Sequence, residues 1–245
     1  TFEFAVAVEV FGLPRPEMGP AWYAFAVAGL ESGPLQATGG IRIVTDGGMD
    51  LFDRADTIII PGWRGKDIPV PASLCLALQT AHHRGCRVVS ICSGVFVLAA
   101  AGLLDGRKAT THWRYADDLQ QRYPQIQVNE NVLYIDEGSV LTSAGSAAGI
   151  DLCLHIVRQD FGAAAANAVA RRLVIPPHRD GGQAQYSHQP LARPHEKHRL
   201  NAVFDTLHGD YLSGLARAAE AFVIALAVAI GIGMGLFVTA AVLGR

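Results

Sequence analysis

The sequence has few cysteines and no paired cysteine motif. Four cysteines occur in 245 residues, without a C-x-x-C pair or a matching histidine spacing. Structural zinc sites need clustered Cys and His ligands, so this pattern argues against a metal centre, and we expect no cofactor. A reduced, cytoplasmic compartment fits such isolated thiols best. The four residues are Cys75, Cys86, Cys92 and Cys153.

The chain also lacks an excess of either charge and a basic, apolar leader. Twenty Lys and Arg stand against 22 Asp and Glu, which gives a formal net charge of −2. Nothing in this balance predicts a general nucleic-acid surface. The sequence starts at Thr1 without a signal segment, so secretion has no support.

Half of the residues are hydrophobic, enough for one full α/β core in a chain of this length. From about residue 23 to residue 162, short β-branched runs alternate with longer helical patterns. This predicts an α/β fold, with a three-layer, doubly wound, mostly parallel sheet covered by helices on both faces. The predicted strands are Tyr23–Gly29, Ile41–Val44, Thr57–Ile60, Arg87–Ile91 and a hairpin of Val132–Ile135 with Val140–Thr142. The predicted helices are Pro71–Arg84, Phe96–Leu104, Ala116–Tyr123, Gly149–Phe161 and Ala163–Val174.

The last part of the chain changes character. Residues 187–220 read as a polar linker and helix after a compact domain of residues 1–186. Residues 221–244 then carry no charge over 24 positions. At ~1.5 Å per residue this run is long enough to cross a ~30 Å hydrocarbon layer, so a membrane helix is the favoured interpretation. An Ala-rich core helix is the alternative.

One turn stands out as a candidate site. The predicted strand Arg87–Ile91 reaches Cys92 and passes at once into a helix that begins with Ser93 and Gly94. This order is typical of a nucleophile elbow. The amides of the helix N-terminus are expected to lower the pKa of the thiol and to offer an oxyanion site. The alternative for Cys92 is a small buried hydrophobic side chain, the usual role of a free cysteine.

Further short motifs accompany this turn at suitable spacing. The motifs are Pro61–Gly65 (PGWRG), Ile91–Gly94 (ICSG), Ala109–Trp113 (ATTHW), Thr142–Gly145 (TSAG) and Arg179–Tyr186 (RDGGQAQY). Together they resemble the PfpI superfamily, and within it the glutamine-amidotransferase-like N-terminal domain of AraC-family transcriptional regulators of the FtrA and GlxA type. The resemblance covers residues 1–186 and implies a flavodoxin-like fold and a role in ligand sensing.

The resemblance also implies partners for the cysteine. Glu3 falls where family members place an acid that hydrogen-bonds the nucleophile, although a solvated loop carboxylate is the alternative. Pro61 and Gly62 follow a strand, which puts a backbone N–H at the edge of the sheet where ligands bind. We therefore expect the amides of Gly62 and Ser93 to form an oxyanion pair, unless Gly62 is only a tight-turn glycine.

Side chains from two neighbouring motifs complete the predicted pocket. His112, on a short predicted strand, is a candidate base, and simple packing is an equal alternative. Trp63 and Trp113 are expected to flank the pocket, with Thr111 among its residues, and ordinary packing is an equal alternative for either tryptophan. Family proteases carry a histidine directly after the cysteine, whereas Ser93 stands there in this chain. The resemblance therefore does not favour peptidase activity for this chain.

Two functions follow as hypotheses. The first is a small-molecule-sensing domain of an AraC-type regulator that lacks specific DNA binding, because the stretch after Tyr186 is too short for two helix-turn-helix units. The second is a cysteine-dependent hydrolase or hydratase in which Cys92 attacks a small substrate and Glu3 moves the proton.

Two expectations concern assembly and location. A fold of this kind opens with a strand that would precede Thr1, so we expect a homodimer across the exposed sheet edge. The region after Gly209 faintly resembles part of a threonine/serine exporter. Together with the apolar run, it suggests a cytoplasmic main domain with a membrane-anchoring tail.

Overall fold

The computed structural model describes residues 1–31 and 33–183. The predicted linker and apolar tail lie outside the described residues. The helices are α1 (Phe2–Ala7), α2 (Ala72–His83), α3 (Val95–Ala100), α4 (Ala116–Arg122) and α5 (Ala148–Leu173). The strands are β1 (Leu35–Gln36), β2 (Arg42–Ile43), β3 (Thr57–Ile60), β4 (Arg87–Ile91), β5 (Lys108–Ala109), β6 (Gln127–Val128), β7 (Tyr134–Asp136) and β8 (Val140–Ser143).

The main sheet has four strands in the order β3-β4-β8-β7. Strands β3, β4 and β8 are parallel, with Ile58 opposite Val88 and Val88 opposite Val140, and β7 runs antiparallel to β8. Strands β1 and β2 form an antiparallel ribbon, while β5 and β6 form a parallel one. The mostly parallel sheet predicted from the sequence is confirmed.

Strand β4 lies at the centre because its side chains are apolar toward both faces. Val88, Val89 and Ile91 are all fully buried. Burial of four successive residues, Val88 to Ile91, suits a strand covered by helices on both sides. Val88 belongs to a core formed with α2, α3 and α4, whereas Val89 and Ile91 belong to a second core formed with α1 and α5. The two cores give the predicted three layers.

Helix α2 illustrates how the sequence sets the boundaries of an element. Pro71 precedes its first residue, where a missing N–H costs nothing. Leu74, Leu78 and Ala81 recur at helical spacing and are buried against the sheet. The helix ends before Gly85, which has φ of +98°, a conformation that glycine adopts without strain.

Two of the predicted strands are corrected by the structure. Within the described residues, the segment Tyr23–Gly29 forms no strand and makes a single bridge, between Ala28 and Gly47. Its aromatic residues are held by side-chain packing instead, because the Tyr23 ring lies 4.9 Å from that of Phe11. The predicted strand Ile41–Val44 is shortened to β2 and pairs with β1 outside the main sheet.

Helix predictions in the second half of the chain are largely confirmed. The helix predicted over Phe96–Leu104 ends early, because Gly102 has φ of +68°. The two helices predicted over Gly149–Phe161 and Ala163–Val174 are the two arms of α5, which kinks at Gly162 (φ 83°, ψ 173°). Glycine allows this kink because it has no Cβ to clash in that conformation.

The predicted hairpin is also confirmed. Strands β7 and β8 are joined through Glu137 and Gly138, and the Glu137 N–H donates to the Val140 carbonyl. Gly138 has φ of +80°.

Of the helices in the described part of the chain, none combines the length and the apolar character that a membrane span requires.

Candidate functional site

The turn at Cys92 has the backbone of a sharp strand-to-helix connection. Strand β4 ends at Ile91, Cys92 takes a left-handed conformation with φ of +56°, and α3 begins at Val95. Cysteine adopts this conformation only at a cost, so the surrounding structure must hold it. A Cβ on Gly94 would lie 2.3 Å from the Ile60 carbonyl oxygen, which explains the glycine there.

The thiol itself is packed beneath a second glycine. Gly145 has φ of +109°, and a Cβ at this position would lie 2.8 Å from the Cys92 Sγ. From another side, the Thr111 hydroxyl donates a 2.9 Å hydrogen bond to the Cys92 carbonyl. The turn is therefore clamped between the segment after β8 and the segment after β5.

Burial dominates the ionisation of this thiol. Removal of the thiolate from water raises the pKa of Cys92 to about 11. The Ser93 N–H donates to the sulfur and lowers the pKa, while the negative charge of Glu3 raises it further. The predicted contribution of the helix amides is present, but the expected net lowering of the pKa is wrong because burial outweighs it.

Glu3 lies near the thiol without bonding to it. The residue is part of α1 and not of a loop, and its charge acts on both Cys92 and His112. Among the described residues, no hydrogen bond joins the Glu3 carboxylate to the Cys92 Sγ. The negative charge of Glu3 therefore disfavours the thiolate form of Cys92.

Ser93 ties the turn to the loop that follows β3. Its hydroxyl oxygen accepts the Trp63 N–H at 3.0 Å, and the hydroxyl also lies 3.3 Å from the Trp63 carbonyl. A Cβ on Gly62, where φ is +155°, would lie 3.6 Å from the Ser93 Oγ. The two predicted oxyanion residues are thus neighbours, and their joint action on a substrate stays a prediction.

His112 is engaged with its own backbone. It lies beyond the end of β5, so the predicted strand position is wrong, and it caps the turn Trp113–Tyr115. Its Nδ1 accepts the Arg114 N–H at 3.2 Å, which leaves the proton on Nε2 in the neutral ring. Burial and the Arg114 charge lower the pKa of His112. This arrangement gives the ring a donor, not a free base, toward its surroundings.

A cavity of about 220 Å³ lies beside the loop that follows β3, and neither Cys92 nor Ser93 is among its lining residues. Trp63 forms one wall, and its indole N–H donates to the Ile68 carbonyl. Arg64 and Glu31, which form an ion pair, supply the charges at its rim. Trp113 does not line this cavity, so the expectation that both tryptophans flank one pocket is not met here.

Gln183, which has no predicted role in the sequence, lies at the centre of a hydrogen-bond network. The side chain is buried. Its Oε1 accepts the Trp113 N–H at 2.7 Å, and its Nε2 donates to the carbonyls of Thr111 and Glu130, both at 2.8 Å. The signal for Gln183 in the sequence is its place in the motif Arg179–Tyr186 at the end of the predicted domain.

No metal site accompanies these residues. In the part of the chain that the structure describes, no group of three or more His, Cys, Asp and Glu residues is placed to hold a metal ion. Ser90 and Ser143, in the strands that lead to this edge of the sheet, have buried hydroxyls without a hydrogen-bond partner among the described residues.

Known proteins are similar to this chain in sequence. The chain is 35% identical over 154 residues to the HTH-type transcriptional regulator CdhR of Pseudomonas aeruginosa, a match that covers 62% of this chain and 45% of CdhR. It is 31% identical over 145 residues to the isonitrile hydratase of Pseudomonas putida, covering 59% of this chain and 62% of that enzyme. The chain thus spans less than half the length of the first of these relatives.

A solved structure supports the fold. The crystal structure of an AraC family transcriptional regulator from Pseudomonas putida superposes with a TM-score of 0.61 at 21% identity, covering 70% of this chain and 91% of that one. A model for a threonine/serine exporter matches residues 198–239, outside the described residues. The model of the DJ-1/PfpI family matches residues 2–159, which include the turn at Cys92 and the glycine beneath which it packs. The chain belongs to the DJ-1/PfpI family.

Proposed function

We propose that residues 1–186 form the small-molecule-sensing domain of an AraC-type transcriptional regulator. The observation that carries this proposal is the turn at Cys92, which keeps the backbone of a nucleophile elbow around a thiol whose pKa is raised to about 11. Ser93 occupies the position of the protease histidine and serves as a tether for the Trp63 loop. Several relatives, CdhR among them, are transcriptional regulators, which supports the same role.

The cavity lined by Trp63 offers a place for a ligand. Its volume is smaller than the ~300–1,000 Å³ of sites for drug-sized molecules, so a small metabolite fits better. Trp63 both lines the cavity and donates its backbone N–H to Ser93. A ligand that displaces Trp63 therefore also strains the Cys92 turn. The charges of Glu31 and Arg64 favour a polar ligand over a purely apolar one.

A binding screen tests the proposal. The full chain is heated with a panel of small carboxylic acids, amines and amino acids, and compounds that raise the melting temperature are titrated by calorimetry. We expect at least one to bind and Trp63→Leu to weaken that binding at least about tenfold, ~1.4 kcal/mol. Trp113→Leu, outside this cavity, is the matched control. A panel without any binder, or equal binding by both variants, contradicts the proposal.

A second candidate function is a cysteine-dependent hydrolase or hydratase. The hydrogen bond from the Ser93 N–H to the Cys92 sulfur favours this function, because it lowers the pKa of the thiol. The isonitrile hydratase of Pseudomonas putida is a relative that is an enzyme. In this reading Cys92 attacks a small substrate, Glu3 moves the proton, and the Gly62 amide helps to hold the developing charge. At pH 7 a pKa of about 11 leaves roughly one thiol in 10,000 ionised, so the sensing role is the stronger candidate.

The oligomeric state and the absence of DNA binding are part of the proposal. Strand β3 pairs only with β4 among the described residues, and we expect a homodimer across its open edge. Light scattering on a sizing column checks this, and a monomer at micromolar concentration contradicts it. We expect no sequence-specific DNA binding by this chain, which a gel shift at moderate salt checks.

The tail is proposed as a membrane anchor for a cytoplasmic domain. Its support is the uncharged run of residues 221–244 and the exporter match over residues 198–239. In this proposal residues 187–220 are the connection. Carbonate extraction of membranes is the test: release of the chain into the supernatant contradicts an anchor.

A further inference from the structure

The last described segment, residues 179–183, bonds to two segments that themselves contact the Cys92 turn, and Gln183 makes the first of these links. Its amide bonds to the backbone of Thr111 and Trp113. Thr111 in turn donates its hydroxyl to the Cys92 carbonyl. One residue therefore separates the side chain of Gln183 from the backbone of the turn.

The second contact runs through α5. Arg179 makes a two-point ion pair with Asp151, whose side chain is almost fully buried in the first turn of that helix. Helix α5 begins at Ala148, three residues after Gly145, the glycine that packs on the Cys92 sulfur. A shift of Gly145 therefore moves the helix end to which Arg179 is bound.

Backbone packing fixes the segment between these two anchors. A Cβ on Gly182 would lie 2.0 Å from the Asn131 carbonyl oxygen, so the two backbones are in direct contact. Gln183 also donates to the Glu130 carbonyl next to it. The segment cannot slide along the domain while these contacts hold.

We infer that residues 179–183 are a coupling element that links the state of the Cys92 turn to the chain that follows the domain. A group that displaces Thr111 or Gly145 loosens the bonds of Gln183 and Arg179, and loss of those bonds loosens the turn in return, because coupling between two sites is reciprocal. The inference rests on the proposed sensing function, since it supplies the route by which an occupied site would act on the rest of the protein.

Gln183→Leu in the full chain tests the coupling without any ligand. The measured quantity is the rate of Cys92 alkylation by iodoacetamide divided by that of Cys86, a buried thiol near the start of β4, so that general unfolding cancels. We expect this ratio to rise about fivefold or more, the lower end of typical coupling between sites. Gln79→Leu is the matched control, since among the described residues the Gln79 side chain bonds to the Ala101 carbonyl and to no part of the Cys92 turn.

A reciprocal measurement keeps the inference testable if Gln183→Leu does not fold. Asp151→Asn weakens the Arg179 ion pair and is expected to raise the same ratio. In the wild-type chain, alkylation of Cys92 is expected to speed amide hydrogen exchange in the peptide containing residues 179–183. An unchanged ratio in the folded variants, or unchanged exchange after alkylation, overturns the coupling. Neither result depends on whether a metabolite binds, so failure of the sensing proposal is scored separately by the binding screen.

Discussion

At the scale of single residues, the geometry and the chemistry of Cys92 point in different directions. Its backbone conformation and the Ser93 amide belong to a reactive thiol, whereas burial and Glu3 keep it protonated. The position of Cys92 at a strand-to-helix turn was predictable, because the apolar run and the Ser-Gly pair are local signals. Its pKa was not, because burial depends on Gly145 and α5, which are distant in sequence.

The charge of Glu3 is expected to act on the thiol through space. Glu3→Gln removes a negative charge, so we expect the pKa of Cys92 to fall and its alkylation at a fixed pH of 8 to become faster. Glu9→Gln is the control, since Glu9 is not among the charges that shift Cys92. The measurement is site-resolved mass spectrometry of iodoacetamide labelling. Equal rates in the two variants would show that Glu3 lies outside the site.

Gly145 is expected to be intolerant of any side chain. Gly145→Ala places a methyl group 2.7 Å from the Cys92 Cβ at a backbone conformation of φ +109°. We expect a loss of about 2 to 4 kcal/mol in the free energy of unfolding, from overpacking and backbone strain together. Gly138→Ala has a similar strain but open space around it, and should lose only about 1 kcal/mol. Urea denaturation measures both, and equal losses would argue against the packing of Gly145 on the thiol.

At the scale of elements, the loop after β3 is held at three points. Ser93 holds Trp63, Lys66 pairs with Asp118 of α4, and Arg122 of α4 bonds to Asp67. The loop is thus fixed against both the turn and α4, while its Trp63 faces the cavity.

Ser93→Ala is expected to free one end of this loop. The Trp63 N–H loses its acceptor, which we expect to cost about 1 to 2 kcal/mol of stability. Amide hydrogen exchange at Trp63 should become faster, while exchange in α2 stays as in the wild type. Ser73→Ala, at the first turn of α2, is the control. Unchanged protection of the Trp63 amide would mean that the Ser93 hydroxyl does not hold the loop.

A cluster on the other side of the sheet joins three elements. Asp160 of α5 accepts two bonds from Arg87 of β4 and one from the Tyr23 hydroxyl. Although burial opposes ionisation, these hydrogen bonds hold the pKa of Asp160 below its usual value.

Asp160 therefore contributes a pH-dependent part of the stability. Because its pKa is lower in the folded state, the contribution is present above its unfolded value of about 3.9 and is lost as the pH falls through the folded value. Asp160→Asn should remove this part, so its urea midpoint should fall less steeply with acid than that of the wild type. Asp105→Asn, whose carboxylate forms no ion pair among the described residues, is the control. Identical acid profiles for wild type and Asp160→Asn contradict the account.

Elements with a local signal were predictable and the others were not. Strands β3, β4 and β8 and helix α2 follow from apolar runs bounded by Pro and Gly. The segment Tyr23–Gly29 has the same appearance, yet its Tyr23 packs with Phe161 and bonds to Asp160, which lies 137 residues away in the sequence. No local pattern distinguishes such a segment from a strand.

At the scale of the whole molecule, the fold and the family follow from motifs that are weak one by one and specific as a set. The motifs that contain Gly62, Cys92, Thr111 and Gly145 lie at the ends of strands β3, β4, β5 and β8, where the fold brings these four residues together. The network of Gln183 shows what the set alone did not reveal, namely that the end of the domain is bound to the site it follows.

The central claim is that the Cys92 turn forms a sensing site and not an activated nucleophile. The most direct measurement is the pH dependence of wild-type Cys92 alkylation by iodoacetamide, read by site-resolved mass spectrometry, with Cys86 as the monitor of unfolding. The account predicts an inflection at about 11. An inflection at or below the ordinary thiol value of about 8.5, with Cys86 still protected, would contradict it and favour an enzyme.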